Sequence, residues 1–167
     1  IIMSAILSTQ NLVKKYGYKI VSNNISLTIN KGDIYGFVGK NGAGKTTFMR
    51  QVLGLAFPDS GEIPLFGGEP LNTARKKIGS LIEFPSIYKN CTAYENMKRM
   101  AILTGNSDKS VRKILDFVGL GNTGNKKAGQ FSLGLRQRLG LAMALLGNPE
   151  LLILDEPING LDPTGIM

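Results

Sequence analysis

The chain has 167 residues, 43% apolar and 19% charged, enough for one packed core and too apolar for a disordered segment. No apolar run reaches the roughly 20 residues of a membrane helix, and the opening Ile1-Ile2-Met3-Ser4-Ala5 lacks the basic region and long apolar stretch of a signal peptide, so a cytoplasmic location is expected. One cysteine, Cys91, and no histidine exclude an internal disulfide, a cysteine–histidine metal cluster and histidine catalysis, while the formal charge of +8 suits polyphosphate or an acidic surface.

That charge is gathered early: Lys14, Lys15, Lys19, Lys31, Lys40, Lys45 and Arg50 stand against Asp33 alone. Scattered lysines equally suit a solvated face, and no arginine-rich run or aromatic–basic alternation points to nucleic acid. From the start, Ala5–Val13 mixes apolar and polar residues like an exposed strand, a Lys14-Lys15-Tyr16-Gly17 turn follows, and Asn24–Ile29 alternates with the period of a half-buried strand. Two antiparallel strands are expected. After the Lys31-Gly32-Asp33 turn, Ile34-Tyr35-Gly36-Phe37-Val38 is a short apolar run of the kind buried in a parallel sheet.

It leads into Gly39-Lys40-Asn41-Gly42-Ala43-Gly44-Lys45-Thr46-Thr47, which satisfies G-x-x-x-x-G-K-[ST] between an expected strand and an expected helix, Thr46–Leu55. Glycines let the backbone turn its N–H groups toward phosphate, and the helix N-terminus adds partial positive charge. Lys45 would reach the β- and γ-phosphates of a nucleotide and the Thr46 hydroxyl would ligate Mg²⁺.

Pro58-Asp59-Ser60-Gly61 ends that helix, and short strands are expected near Glu62–Phe66 and Ile78–Ile82. Thr92–Thr104 and Asp108–Val118 then have helical spacing, with Thr92, and Asp108 or Ser107, as capping residues. Ser132–Leu146 is a third helix, closed by Gly147-Asn148-Pro149. Leu151-Leu152-Ile153-Leu154 is an apolar strand ending in Asp155 and Glu156. A buried parallel strand puts such acids at the carboxyl edge of the sheet, where Asp155 would hold Mg²⁺ through water and Glu156 would act as general base toward an attacking water.

With both motifs in place, Phe131-Ser132-Leu133-Gly134-Leu135-Arg136-Gln137-Arg138 resembles the signature of ABC-transporter nucleotide-binding domains, commonly L-S-G-G-Q; Ser132 and Gly134 are retained. The resemblance covers nearly the whole chain. It implies an α/β P-loop ATPase core with an N-terminal antiparallel β-element and an inserted helical subdomain, divided as 1–82, 83–130 and 131–167. It implies that the signature segment caps the γ-phosphate held by a partner's P-loop in a head-to-tail dimer, although Ser132 read by itself is an N-cap. Tyr16 resembles the aromatic residue that stacks on adenine, with Tyr18 as the alternative. Asn159-Gly160-Leu161-Asp162 resembles the loop that meets its symmetry mate across that dimer.

Glu83 occupies the place where the family usually has glutamine: a candidate contact to Mg²⁺ or water, or a harmless substitution in a coupling loop. Ile78–Glu83, Tyr88–Asn96 and the altered signature resemble the ATPases of bacterial exporters for bacitracin and lantibiotics. This implies ATP and Mg²⁺ as ligands, separately encoded permease partners and a peripheral place on the inner membrane face. A soluble non-transporter ATPase and an inactive nucleotide-binding fragment are the alternatives. The resemblance also implies a truncated cassette, because family members continue with a helix, a strand and a histidine. Without that strand, 34–38 and 151–154 should face unpaired backbone, compensated by altered pairing or by a second chain.

Overall fold

The computed structural model describes residues 5–157. They fall into two compact units, divided between Lys76 and Lys77.

In the first unit, β1 (Ala5–Tyr16) and β2 (Lys19–Asn30) form the expected antiparallel hairpin, closed by the Tyr16–Lys19 pair. A third strand, β3 (Ser60–Glu62), joins the other edge of β1, giving the order β2-β1-β3. Leu7, Leu12 and Ile29 are buried; Leu7 and Leu12 have opposite parity along β1, whose register with β2 shifts between Thr9 and Leu12. Helix α1 (Lys45–Val52) lies against β2, burying Phe48 and Val52, and Ser22 Oγ donates to Gln51 Oε1 at 3.3 Å. A short helix α2 (Leu71–Ala74) follows, and Arg75 donates to the carbonyls of Leu53 and Gly54 at 2.9 and 2.8 Å, closing the end of α1.

Residues 34–38 depart from the expected buried strand. The segment has no regular secondary structure, and Ile34 and Val38 are 102% and 95% exposed. An apolar run becomes a strand only where neighbours take its N–H and C=O groups, and among the described residues no strand pairs with this one. Phe37 is tied down, stacked on Phe48 at 4.8 Å and 17°.

In the second unit, β4 (Ile78–Leu81) and β5 (Leu151–Leu154) pair in parallel and in unbroken register from Ile78–Leu151 to Leu81–Leu154. Between them lie α3 (Ala93–Thr104), α4 (Asp108–Phe117) and α5 (Leu133–Leu145). Each starts at a hydroxyl cap: Thr92, which with Glu95 completes a capping box; Ser107, settling the choice against Asp108; and Ser132. Their inner faces follow helical periodicity, with Met97 and Ala101 on α3 meeting Val111 and Leu115 on α4 and Leu139 on α5. Buried Asn96 accepts the Tyr88 N–H at 2.8 Å and donates to the carbonyls of Tyr88 and Thr92, at 3.1 and 2.8 Å, fastening the chain before α3 to that helix.

α3 and α4 are also joined by charge. Asp108 accepts from the Tyr94 hydroxyl, from Lys98 at 3.0 Å and from Arg112 at 3.3 Å. The tyrosine bond first, and then the lysine, hold its carboxyl down from 3.8 to about 2. A carboxyl with a depressed folded pKa contributes stability that is complete above the unfolded value and lost as pH falls through the folded one. Urea stability is therefore expected to fall between the ordinary 3.8 and about 2, and Asp108→Asn to lack that part of the fall when titrations are compared at successive pH values. An unchanged acid limb in the variant would count against the contact.

Candidate phosphate and acidic sites

The glycine-rich turn enters α1 through Gly42 and Gly44, at φ 78° and 93°, the left-handed region that favours glycine. At Gly44 space also decides: a Cβ would stand 2.0 Å from the Val21 carbonyl oxygen. The helix start has no side-chain cap and no acid in its first turn, so its positive end meets no negative side chain of its own. Lys45 folds back over the loop, its Nζ donating to the carbonyls of Gly39 at 2.7 Å and Lys40 at 3.1 Å. The Ala43 N–H donates to Lys40 O at 3.1 Å, which tightens the turn around Asn41. Thr46 and Thr47 sit in the first turn of α1, half-buried. A loop of N–H groups, an uncapped helix end and an ammonium fit a polyphosphate.

Tyr16 ends β1, half-exposed, with Lys14 Nζ 5.3 Å from its ring centre. Asp59 anchors that end of the strand by accepting the Lys15 N–H at 2.6 Å and Lys14 Nζ at 3.0 Å, and these bonds, in that order, lower its pKa. Tyr18, in the turn, is fully exposed.

The second unit holds the acids. The Asp155 N–H donates to Leu81 O at 2.8 Å, extending the β4–β5 ladder, and its side chain is buried. Glu83 and Glu156 each follow the last paired residues, Leu81 and Leu154, by two positions, so parallel register brings both to the carboxyl edge of the pair. Both are exposed and both have left-handed backbone, at φ 58° and 46°. For a non-glycine residue that conformation costs about 1–3 kcal/mol, the kind of strain found at functional turns. Among the described residues no three acidic or thiol groups converge as a metal cage.

Ser132 caps α5, its Oγ accepting the Leu135 N–H at 3.3 Å; Gly134 lies in the first turn, and Leu133 beside it is exposed. Arg136, not singled out by sequence reasoning, reaches back from the helix to the Gly129 carbonyl at 3.0 Å. The 159–162 loop lies outside the described residues.

Residues 22–159 match the family model described as ABC transporter. The bacitracin transport ATP-binding protein BcrA of Enterococcus faecalis is 52% identical over 99% of this chain and 55% of its own length. The lantibiotic transport ATP-binding protein SrtF of Streptococcus pyogenes is 48% identical over 96% of this chain and 70% of its own length. A dimeric ATP-binding cassette in a post-hydrolysis state, bound to ADP and Pi, superimposes with a TM-score of 0.84 at 26% identity, covering 95% of this chain and 77% of that one. The chain spans about half the length of the first of these relatives.

Proposed function

Since this chain belongs to the ABC transporter family of ATP-binding proteins, we propose that it is the nucleotide-binding region of an exporter ATPase that protects bacteria from bacitracin- or lantibiotic-type antimicrobials. The observation that carries ATP binding is the uncapped start of α1 behind left-handed Gly42 and Gly44, with Lys45 folded over the loop. In this reading Gly39, Asn41, Gly42, Ala43, Gly44 and Thr47 surround the phosphates through their backbone, and Tyr16 stacks on the base. Lys45 turns its ammonium to the β- and γ-phosphates, while Thr46 and Asp155 supply oxygens for Mg²⁺, with Glu83 touching that ion or its water. Held by Thr46 and Asp155, Mg²⁺ would supply positive charge to offset that of the phosphates.

Glu156 takes the proton of the attacking water as general base. Ser132 and Gly134 present the start of α5 to the nucleotide of a second copy in a head-to-tail dimer. In this reading the membrane component is a separate permease. The full-length protein then works at the inner membrane face.

The export reading is tested in a bacitracin-sensitive host carrying the full-length protein with the permease encoded beside it. Tolerance to bacitracin or to a lantibiotic should rise about tenfold, as expected when a pump restores the cell by one decade of free drug. Binding of ATP with no change in tolerance to either would remove the export reading and leave a non-transporter ATPase.

A further inference from the structure

The chain between β4 and α3 has no regular secondary structure and exposes Phe84 and Tyr88, yet it is fastened at two places, once to α5 and once to the turn 128–130 that precedes it. Pro85 lies against Gly140 so closely that a Cβ there would come within 2.5 Å of Pro85 Cβ. Farther on, Lys89 O accepts the Gly129 N–H at 2.8 Å, and Cys91 O accepts the Ala128 N–H at 2.8 Å. The same Gly129 offers its carbonyl to Arg136 on α5, at 3.0 Å. One residue is thus held from the loop side through its N–H and from the helix side through its C=O. Three residues later Ser132 begins α5.

We infer that Lys89, Gly129 and Arg136 form a link through which the loop after Glu83 sets the position of Ser132, with Arg136 as the positioning residue. The inference rests on the reading of Ser132 as a contact to the nucleotide of a second copy. A displacement of the loop pulls on the Gly129 N–H, and the turn 128–131 cannot follow without carrying the α5 start or breaking the arginine bond. The arginine is not locked as a purely structural fork would be. Its Nε is buried without a hydrogen-bond partner among the described residues, so its hold on the turn is a single contact from Nη2 that can be made or released.

The full-length protein tests this with Arg136→Met, which keeps the stem and removes the fork, Arg136→Lys, which can restore a donor, and Gly129→Ala. In the last a Cβ would stand 3.0 Å from the Lys89 carbonyl oxygen, so the loop must shift while Arg136 remains. Amide hydrogen exchange is expected to quicken about tenfold in Arg136→Met, both in 128–135 and in 86–91, without change in α4. The ATP concentration for dimerisation should rise about fivefold while monomer affinity for ATP stays constant, a coupling of ordinary allosteric size. Gly129→Ala should act in the same direction, and lysine at 136 should recover part of the loss.

Faster exchange confined to the first turn of α5, with 86–91 unaffected in both Arg136→Met and Gly129→Ala, would overturn the link. So would ATP-driven dimerisation that Ser132→Ala impairs and neither of those variants does. If Ser132→Ala itself has no effect on dimerisation, the reading of Ser132 fails, and the exchange pattern alone then decides the link. Should Arg136→Met not fold, Gly129→Ala gives the same two readouts.

Discussion

Lys45→Met is expected to weaken MgATP binding by at least about a hundredfold in calorimetry, which corresponds to roughly 3 kcal/mol. An ammonium has three donors, and here two go to the carbonyls of Gly39 and Lys40. The lysine therefore does two things: it closes the loop over itself, and it brings a positive charge to a turn whose other attractions for an anion are backbone dipoles. Hydrogen bonds from a charged group contribute about 1.5–3 kcal/mol each, and the β- and γ-phosphates would accept such bonds together. Methionine keeps the length and apolar stem of the side chain, so a loss in Lys45→Met reports the charge rather than an emptied space. The helix that follows should survive, because Phe48 and Val52 remain buried against the hairpin and Phe37 still stacks on Phe48. Unaltered affinity with intact helical circular dichroism would remove Gly39–Thr47 from the role of phosphate loop.

The parts of this fold legible in the sequence are those decided within a few residues. Thr92 with Glu95, Ser107 and Ser132 mark helix starts through bonds that span three positions, and the structure has all three caps. The alternation at Asn24–Ile29 likewise reports a strand with one covered face. Ile34–Val38 misled for the complementary reason. An apolar pentapeptide carries no period that separates strand from coil, and what decides is whether another strand lies beside it. Glu156 was legible as an acid at a strand end and Glu83 only through the family resemblance, whereas their common edge comes from the parallel register of β4 and β5, and their left-handed backbone from the turns beyond it. Asn96 and Arg136 lie in segments that carry the resemblance, but their bonds were not legible, because each acts on carbonyls or amides whose location depends on the packed helices.

In the full-length protein, Glu156→Gln is expected to bind MgATP as tightly as the unaltered chain and to hydrolyse it at least about a hundredfold more slowly, the usual size of a general-base contribution. The two effects should separate because the groups belong to different elements: the phosphate loop ends in α1, whereas Glu156 follows β5. Glutamine preserves the shape of the side chain and can still hydrogen-bond a water, but it has no carboxylate to take the proton. The backbone should tolerate the exchange, since a left-handed φ of 46° is no worse for glutamine than for glutamate. Asp155 just before it provides the contrast. Its N–H continues the β4–β5 ladder and its side chain is buried, so Asp155→Asn should impair Mg²⁺-dependent binding as well as turnover. If the base is Glu156, slow hydrolysis with intact binding also lengthens the ATP-bound state, and size-exclusion chromatography should show a dimer that persists with ATP and dissociates after its removal. Turnover at the unaltered rate in Glu156→Gln would take the general-base role away from this residue; a variant that loses ATP binding along with turnover would instead make Glu156 part of the nucleotide's own site.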